Sequence, residues 1–283
     1  MIDARTGLYG VIGNPVGHSL SPAMHNAAFK ALGLNAVYMA FLVKDLPVAV
    51  GGIRALGIRG VNVTIPHKWA IQELLDQIDP IARSLGAVNT VLNRNGRLVG
   101  YNTDWIGALS ALQEITEVSG KLSVLIGAGG AARAAAFGLI RAGAEVIVVN
   151  RTEAKARQVA RQLGCQFAPL DSLSELQAQI LVNATPIGME PDTEACPVSP
   201  RWLRPGMVVM DAVYAPPRTR LLQEAKARGC RTVDGLRWLV RQGAESFNIW
   251  LGRQPPEDVM ERACRESLLG EHRTTPANLP LER

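Results

Sequence analysis

Short apolar runs closed by glycine alternate with helix-opening signals along almost the whole chain, and this alternation restricts the fold more than any other feature. "LYGVIG" (8–13) reads as a buried strand. "SPAMHNAAFKALG" (21–33) reads as a helix, with Ser21 as N-cap, Pro22 at the first helical position and Gly33 just past the end. "AVYMAFLV" (36–43) is a second strand, and Asp45 and Pro47 open a helix that ends around Gly57. "GVNVTIP" (60–66) is a third strand, followed by a helix over roughly 69–77. "AVNTVLNRNGRLVGYN" forms a hairpin turned at Asn95-Gly96, and a helix over about 105–117 leads away from it. The fold class is therefore α/β, with a mostly parallel sheet in this first part.

A second α/β pattern starts at "KLSVLIGAGGAARAAAFGLIRAGAEVIVVNRT" (121–152). Further strands are expected at 180–185, 207–214 and 230–235, and two long helices at about 236–251 and 256–269 close the chain. Pattern alone leaves open whether those helices lie on the second unit or return to the first. The 283 residues, 47% of them hydrophobic, suffice for one large or two moderate cores, and a charged fraction of 19% excludes a disordered chain.

Composition narrows the partners. The net charge is +5, but Lys and Arg are scattered and aromatics make up only 5%, so a nucleic-acid partner is not expected. A mild attraction for anionic small molecules is. Cys165, Cys196, Cys230 and Cys264 lack metal-ligand spacing and read as reduced thiols of a cytoplasmic protein. His18, His25 and His67 have no mutual ligand spacing, so no metal is expected. No run approaches the ~18 apolar residues of a membrane span, and the N-terminus lacks a signal-peptide core. The polar, proline-bearing segment 271–283 reads as a flexible tail. The pattern does not set the oligomeric state; a homodimer is compatible with it.

"LIGAGGAARAA" places Gly127, Ala128, Gly129, Gly130, Ala131 and Ala132 between a strand and a helix. In that context Gly127 allows the tight turn, Gly129 lets a pyrophosphate reach the backbone, and Ala132 allows close helix–strand packing. A plain strand–turn–helix that needs glycine for positive φ is the simpler alternative. An NAD site normally carries a carboxylate about 20 residues past the glycines. Here that place holds Asn150, Arg151, Thr152 and Lys155, which suits a 2′-phosphate and hence NADP. Glu153 is the competing detail; as a first-turn acid behind an N-cap Thr152 it is also ordinary helix chemistry.

Three stretches of the first part place polar residues at strand ends, where open α/β sheets bind ligands. "NVTIPHK" carries Asn62 and Thr64 on one strand face, with Lys68 just beyond. "AVNT" carries Asn89 and Thr90, and "GYNTDW" carries Asn102, Thr103 and Asp104. A Lys and an Asp beside a nicotinamide can handle the proton that accompanies hydride transfer between alcohol and ketone, provided the lysine pKa is brought toward neutral. Thr64, Asn89 and Asn102 suit a polyol. In "VIGNPVGHSLSPAMHN", Ser19, Ser21 and the helix N-terminus form a candidate carboxylate clamp. Each residue also has an ordinary role open to it: Ser21 and Asp104 as helix caps, Lys68 as a solvated cation.

Taken together, "GNPVGHSLSPAMHN", "GVNVTIPHK", "GAVNT", "GYNTD", "GAGGAARAA", "NRT", "NATPIGM", "DAVY" and "DGLRWLVRQGAESF" resemble, in this order, the shikimate dehydrogenase family, from about residue 7 to about 268. These are NADP-dependent enzymes that reduce 3-dehydroshikimate in aromatic amino acid biosynthesis. The resemblance implies two domains: a substrate-binding catalytic domain of 1–104 plus 237–270, and a Rossmann NADP-binding domain of 105–236. It implies Lys68 as acid/base paired to Asp104, with Ser19 and Ser21 on the substrate carboxylate. Thr64, Asn89, Asp104, Tyr214 and Gln242 would complete the substrate pocket. Thr185, Ala212 and Gly235 would lie near the ribose and nicotinamide.

Three positions depart from the commonest family pattern: Trp105 in place of glycine, Trp238 in place of methionine, and Lys155 in place of arginine. Lys155 keeps the charge but loses the planar stack on adenine. The nearest rival is a dual-specificity quinate/shikimate dehydrogenase, against which Ser21 and Asn150 speak. A non-catalytic NADP-binding regulator would lack Lys68 or Asp104. A folate or amino-acid dehydrogenase of similar architecture would not explain the two serines.

Overall fold

The computed structural model describes residues 2–271, so the expected tail lies outside the described residues apart from Glu271, which closes the last helix. The chain builds two six-stranded sheets in succession. The first unit runs β1 (Gly7–Gly13), α1 (Ser21–Ala31), β2 (Ala36–Leu42), α2 (Leu46–Ala55), β3 (Gly60–Val63), β4 (Gln77–Ile78), α3 (Pro80–Leu85), β5 (Thr90–Arg94) and β6 (Arg97–Tyr101). Its strand order is β2-β1-β3-β5-β6-β4. β1 is parallel to β2 and β3, and β4 is parallel to β6. The β5–β6 hairpin brings in the antiparallel pairs and turns at Asn95 and Gly96, both with positive φ.

Three local expectations shift. Residue Leu20, not Ser21, occupies the N-cap of α1 and offers no side-chain cap, so the Ser21 hydroxyl is not used for capping. β3 stops at Val63, ahead of Pro66, whose missing N–H cannot extend the ladder. The helix expected over 69–77 is a single 3-10 stretch, Ala70–Leu74, followed by β4. Asp76 is the cause. Its N–H donates to Leu98 O at 3.1 Å, and its carboxylate accepts from Leu98 N–H at 2.6 Å, drawing the chain into the sheet edge.

α4 (Asp104–Gln113) leads to the second unit: β7 (Leu122–Ile126), α5 (Gly130–Arg141), β8 (Glu145–Val149), α6 (Glu153–Leu163), β9 (Gln166–Ala168), β10 (Ile180–Asn183), β11 (Val208–Asp211), α7 (Arg220–Ala227) and β12 (Arg231–Val233). All its strands are parallel, in the order β12-β11-β10-β7-β8-β9. This is the doubly wound dinucleotide-binding order, with its switch point between β7 and β10. Short α3, α7 and β9 have no clear counterpart in the sequence reading.

The closing helices, α8 (Gly235–Leu251) and α9 (Glu257–Glu271), return to the first sheet. Val240, Phe247 and Trp250 of α8 and Met260 and Cys264 of α9 share one core with Tyr9, Met24, Phe29 and Tyr38. At its other end, Trp238 of α8 joins the core of α4 and α5. Close approach depends on glycine at two places on that seam. A Cβ on Gly107 would lie 2.8 Å from Gln242 Cβ, and one on Gly138 would lie 2.8 Å from Trp105 O. Trp105 itself packs edge-on against Phe137 (5.5 Å), so it clamps α4 to α5 rather than entering a ligand site.

His25 of α1 is fully buried and stacks on Tyr38 at 4.5 Å with 12° between the rings. Neither ring nitrogen makes a hydrogen bond of normal geometry, and the approach of the Asn62 side chain does not offset burial, which drives the His25 pKa down to about 3. The folded chain thus keeps this ring neutral, while an unfolded histidine protonates below its ordinary 6.5. The stability contribution is full above that value and is lost as pH falls toward 3, at about 1.4 kcal/mol per pH unit. His25→Phe keeps the ring stack and removes the proton site. Denaturant unfolding of this variant should lose about 1.4 kcal/mol less per pH unit than wild type on acidification from neutral. An unchanged slope would rule out the neutral buried ring.

Candidate active site

A cleft of about 190 Å³ opens where the loops after β1 and β3 meet the first turn of α5 and the loop after β11. Ser19, Ser21, Thr64, Lys68, Asn89, Asp104, Tyr214 and Gln242, all singled out from the sequence, line it. Ala131, Ala212 and Gly235 form part of the same wall.

Lys68 sits in the turn after β3. The backbone around it is pinned by His67 N–H to Thr64 O (2.9 Å), Val88 N–H to Lys68 O (2.8 Å), and His67 Nε2 at 2.9 Å from Val43 O. Its Nζ lies 2.6 Å from Asp104 Oδ2, with side-chain exposures of 23% and 11%. Asp104 is the first residue of α4, and Thr103 occupies the N-cap. The Asp104 carboxylate is therefore no helix cap: one oxygen faces Lys68, and the other accepts from Asn89 Nδ2 at 2.9 Å. Its backbone is held as well. Asp104 N–H donates to Asn102 Oδ1 (3.0 Å), and Trp238 Nε1–H donates to Asp104 O (2.9 Å). Trp238, one of the departures from the family pattern, thus fixes the backbone beneath the pair.

At the other end of the cleft, Ser19 Oγ accepts from Ser21 N–H at 3.3 Å. Leu20 at the N-cap offers no side-chain acceptor, so the first-turn N–H groups of α1 after Ser21, together with the two serine hydroxyls, can receive an anion. Gln242 reaches the opposite side, its Oε1 accepting from Asn89 Nδ2 at 3.3 Å.

The second unit supplies a dinucleotide cradle. Gly127 has φ +119°, and a Cβ there would lie 2.9 Å from Ala184 O, so only glycine makes this turn. At Gly129 and Gly130 a Cβ would meet nothing within 4 Å, which leaves the uncapped N-terminus of α5 open to a pyrophosphate. Beyond β8, Asn150 Nδ2 donates to Thr152 O at 3.0 Å. Thr152 stands at the N-cap of α6 without making a side-chain cap. Glu153 is engaged by Arg157 at 2.5 Å along α6, and among the described residues no carboxylate pairs with Arg151 or Lys155. Two exposed cations and an amide thus fit a 2′-phosphate.

The sequence reading missed a carboxylate that ties the cofactor loops together. Buried Asp211, at the end of β11, accepts from Thr219 Oγ1 (2.6 Å), Asn183 Nδ2 (2.9 Å) and Val213 N–H (3.0 Å). Asn183 Oδ1 in turn accepts from the Thr185 hydroxyl (2.6 Å) and N–H (3.1 Å). Burial pushes the Asp211 pKa up to about 6, against the pull of its three donors. Thr185 and Ala212 are placed by this cluster. Its sequence signal is a polar residue ending each apolar strand, in "ILVN" and "VVMD", the residues that also open "NATPIGM" and "DAVY". Among the described residues, no group of three or more His, Cys, Asp or Glu side chains could hold a metal ion, and no helix is long and apolar enough to cross a membrane.

Comparison with known proteins agrees along the chain. Family models for the shikimate dehydrogenase substrate binding domain, shikimate/quinate 5-dehydrogenase and the shikimate 5′-dehydrogenase C-terminal domain match residues 11–91, 110–187 and 235–265. A shikimate dehydrogenase (NADP(+)) of Thermococcus kodakarensis is 50% identical over 274 residues, covering 95% of this chain and 99% of the relative. A crystal structure of a shikimate dehydrogenase in complex with NADP+ superposes with TM-score 0.92 at 46% identity, covering 95% of this chain and 98% of that one. The Thermus thermophilus enzyme in complex with NADP(H) and shikimate superposes with TM-score 0.88 at 43% identity, covering 93% and 100%. At 50% identity over 95% of its length, and with both of its sheets built like those of these proteins, the chain belongs to the shikimate dehydrogenase family.

Proposed function

We propose that the chain catalyses the reversible NADPH-dependent reduction of 3-dehydroshikimate to shikimate. The observation that carries this reading is the Lys68–Asp104 pair, 2.6 Å apart, in a cleft that also holds the serine clamp and the Ala212–Gly235 wall. Residues 1–104 and 237–270 then act as the substrate-binding catalytic domain, and 105–236 as the NADP domain. With four free thiols in a chain of metabolic relatives, the cytoplasm is the fitting compartment.

Bound over the Gly127–Gly130 turn, NADPH supplies the hydride to the C3 carbonyl. Ser19, Ser21 and the first turn of α1 hold the substrate carboxylate, which fixes the ring in one direction. Thr64, Asn89, Tyr214 and Gln242 contact the ring and its hydroxyls. The Lys68 ammonium donates a proton to the C3 oxygen as negative charge develops there, and in the reverse direction the neutral amine takes it back. Asp104 holds Lys68 on that oxygen and accepts from the neighbouring hydroxyl, while Asn89 keeps the carboxylate from turning away. Holding the reactants in line contributes a large share of the rate, so closure of the cleft matters. A dual-specificity quinate/shikimate dehydrogenase is the alternative; Ser21 at the second clamp position and Asn150 after β8 favour shikimate and NADP.

Lys68→Ala should lower kcat by roughly 10²–10⁴-fold and leave the Kd for shikimate nearly unchanged. Turnover near wild type would remove Lys68 from its role. Ser19→Ala and Ser21→Ala should raise KM for shikimate more than they lower kcat; two unchanged KM values would dissolve the clamp. Arg151→Ala combined with Lys155→Ala should raise KM for NADP by about tenfold or more, equivalent to at least about 1.4 kcal/mol, with KM for NAD unaffected. Equal effects on both cofactors would contradict a 2′-phosphate site.

A further inference from the structure

The floor of the cleft is one buried hydrogen-bonded chain. From the acid/base end, Asn89 Nδ2 donates to Asp104 Oδ1 at 2.9 Å, and Asn89 Oδ1 accepts from Thr103 N–H (2.8 Å) and Thr90 Oγ1 (3.0 Å). The Thr90 and Thr103 hydroxyls meet Ser246 Oγ at 2.8 and 3.2 Å. Ser246 Oγ accepts from Asn62 Nδ2 at 2.9 Å, and Asn62 Oδ1 accepts from the Tyr38 phenol at 2.7 Å. Tyr38 lies on β2 with its side chain buried, its ring stacked on His25.

The same ring also backs the other end of the site, through its stack on His25 of α1. Burial raises the Tyr38 pKa, and the Ser21 side chain beside it works against that rise. His25, which flanks the Tyr38 ring, follows Ser21 by one turn of α1. Both Ser21 and Asn62 line the cleft, whereas Tyr38 sits behind them. The ring alone would satisfy the packing. A buried hydroxyl is retained without penalty only where it is hydrogen-bonded, and here its acceptor, Asn62, is a residue of the cleft wall.

We propose that Tyr38 is a positioning residue for the reaction: its phenol sets Asn62 and Ser21 relative to each other, and so joins the carboxylate clamp to the Lys68–Asp104 pair. The substrate fixes the distance between its carboxylate and its C3 oxygen. Clamp and acid/base must match that distance together, and errors on the order of 1 Å cost about a hundredfold in rate. This inference rests on the clamp and acid/base reading above.

Tyr38→Phe tests it, because the ring and its stack remain while Asn62 Oδ1 loses its donor. The expected result is a fall of about ten- to a hundredfold in kcat/KM for shikimate, divided between a higher KM and a lower kcat, with KM for NADP unchanged. A merely structural phenol would lower Tm and the active fraction and leave KM for shikimate where it is; that result overturns the proposal. In a Ser21→Ala background, Tyr38→Phe should cost at least threefold less than in wild type, since part of its action passes through Ser21. Fully additive losses overturn the link. Should Tyr38→Phe not fold, Ser246→Ala cuts the same chain between Asn62 and Thr90 and should give the same division of KM and kcat. Failure of the clamp reading is separable: it appears as an unchanged KM in Ser21→Ala alone, whereas wild-type kinetics in Tyr38→Phe beside a defective Ser21→Ala sinks only the present inference.

Discussion

The ion pair between Lys68 and Asp104 depends on support from every part of the substrate site. Two opposite charges with little solvent exposure are stable only if the remaining oxygens and protons find partners. Asp104 finds them in the Asn89 amide, the Asn102 side chain below its N–H, and the Trp238 indole on its carbonyl. Asn89 and Asn102 belong to the first unit, and Trp238 to the penultimate helix. The support beneath the pair is therefore complete only when α8 has come back to the first sheet. This connects a requirement of the chemistry to the path of the chain. Gln242 and Ser246 follow Trp238 along the same helix and extend the support to Asn89 and Asn62.

The position of the cofactor cradle depends on a second constraint, close backbone approach. α4 lies between α5 and α8, and Gly107 and Gly138 let those helices come nearer than a Cβ would permit. Gly235 does the same at the start of α8, where a Cβ would lie 2.5 Å from Ala212 O. These contacts bring the Ala212 loop over the substrate cleft. The buried Asn183–Asp211 pair then holds the Thr185 and Ala212 loops together on the cofactor side of that seam.

Features set by neighbouring residues were legible in the sequence. The strand–helix alternation, the Gly127 turn, the Asn95-Gly96 hairpin and the Asp45 cap each depend on a few adjacent positions, and each stands where expected. Local signals misled where a distant partner decides. Ser21 has the chemistry of an N-cap, but the turn closed by Ser19 N–H on Val16 O starts the helix one residue earlier and leaves its hydroxyl out of the cap. The residues after Trp69 have a helical pattern, but Asp76 pairs with Leu98 and ends it. The support of the catalytic pair was the least legible part. Asn62 and Ser246 lie 184 positions apart, and no local pattern joins a serine on a closing helix to an asparagine in a strand. A polar residue inside an apolar strand, as in "GVNV", was the only trace.

The central claim is that this geometry serves shikimate and NADP together. Initial rates of nicotinamide reduction with shikimate or quinate, each paired with NADP or NAD, test it most directly. A strong rate is expected only for shikimate with NADP. A comparable rate with quinate would show that Ser21 does not discriminate. A comparable rate with NAD would show that the Asn150–Lys155 segment does not read the 2′-phosphate. The absence of any rate with shikimate would contradict the assignment of the cleft itself.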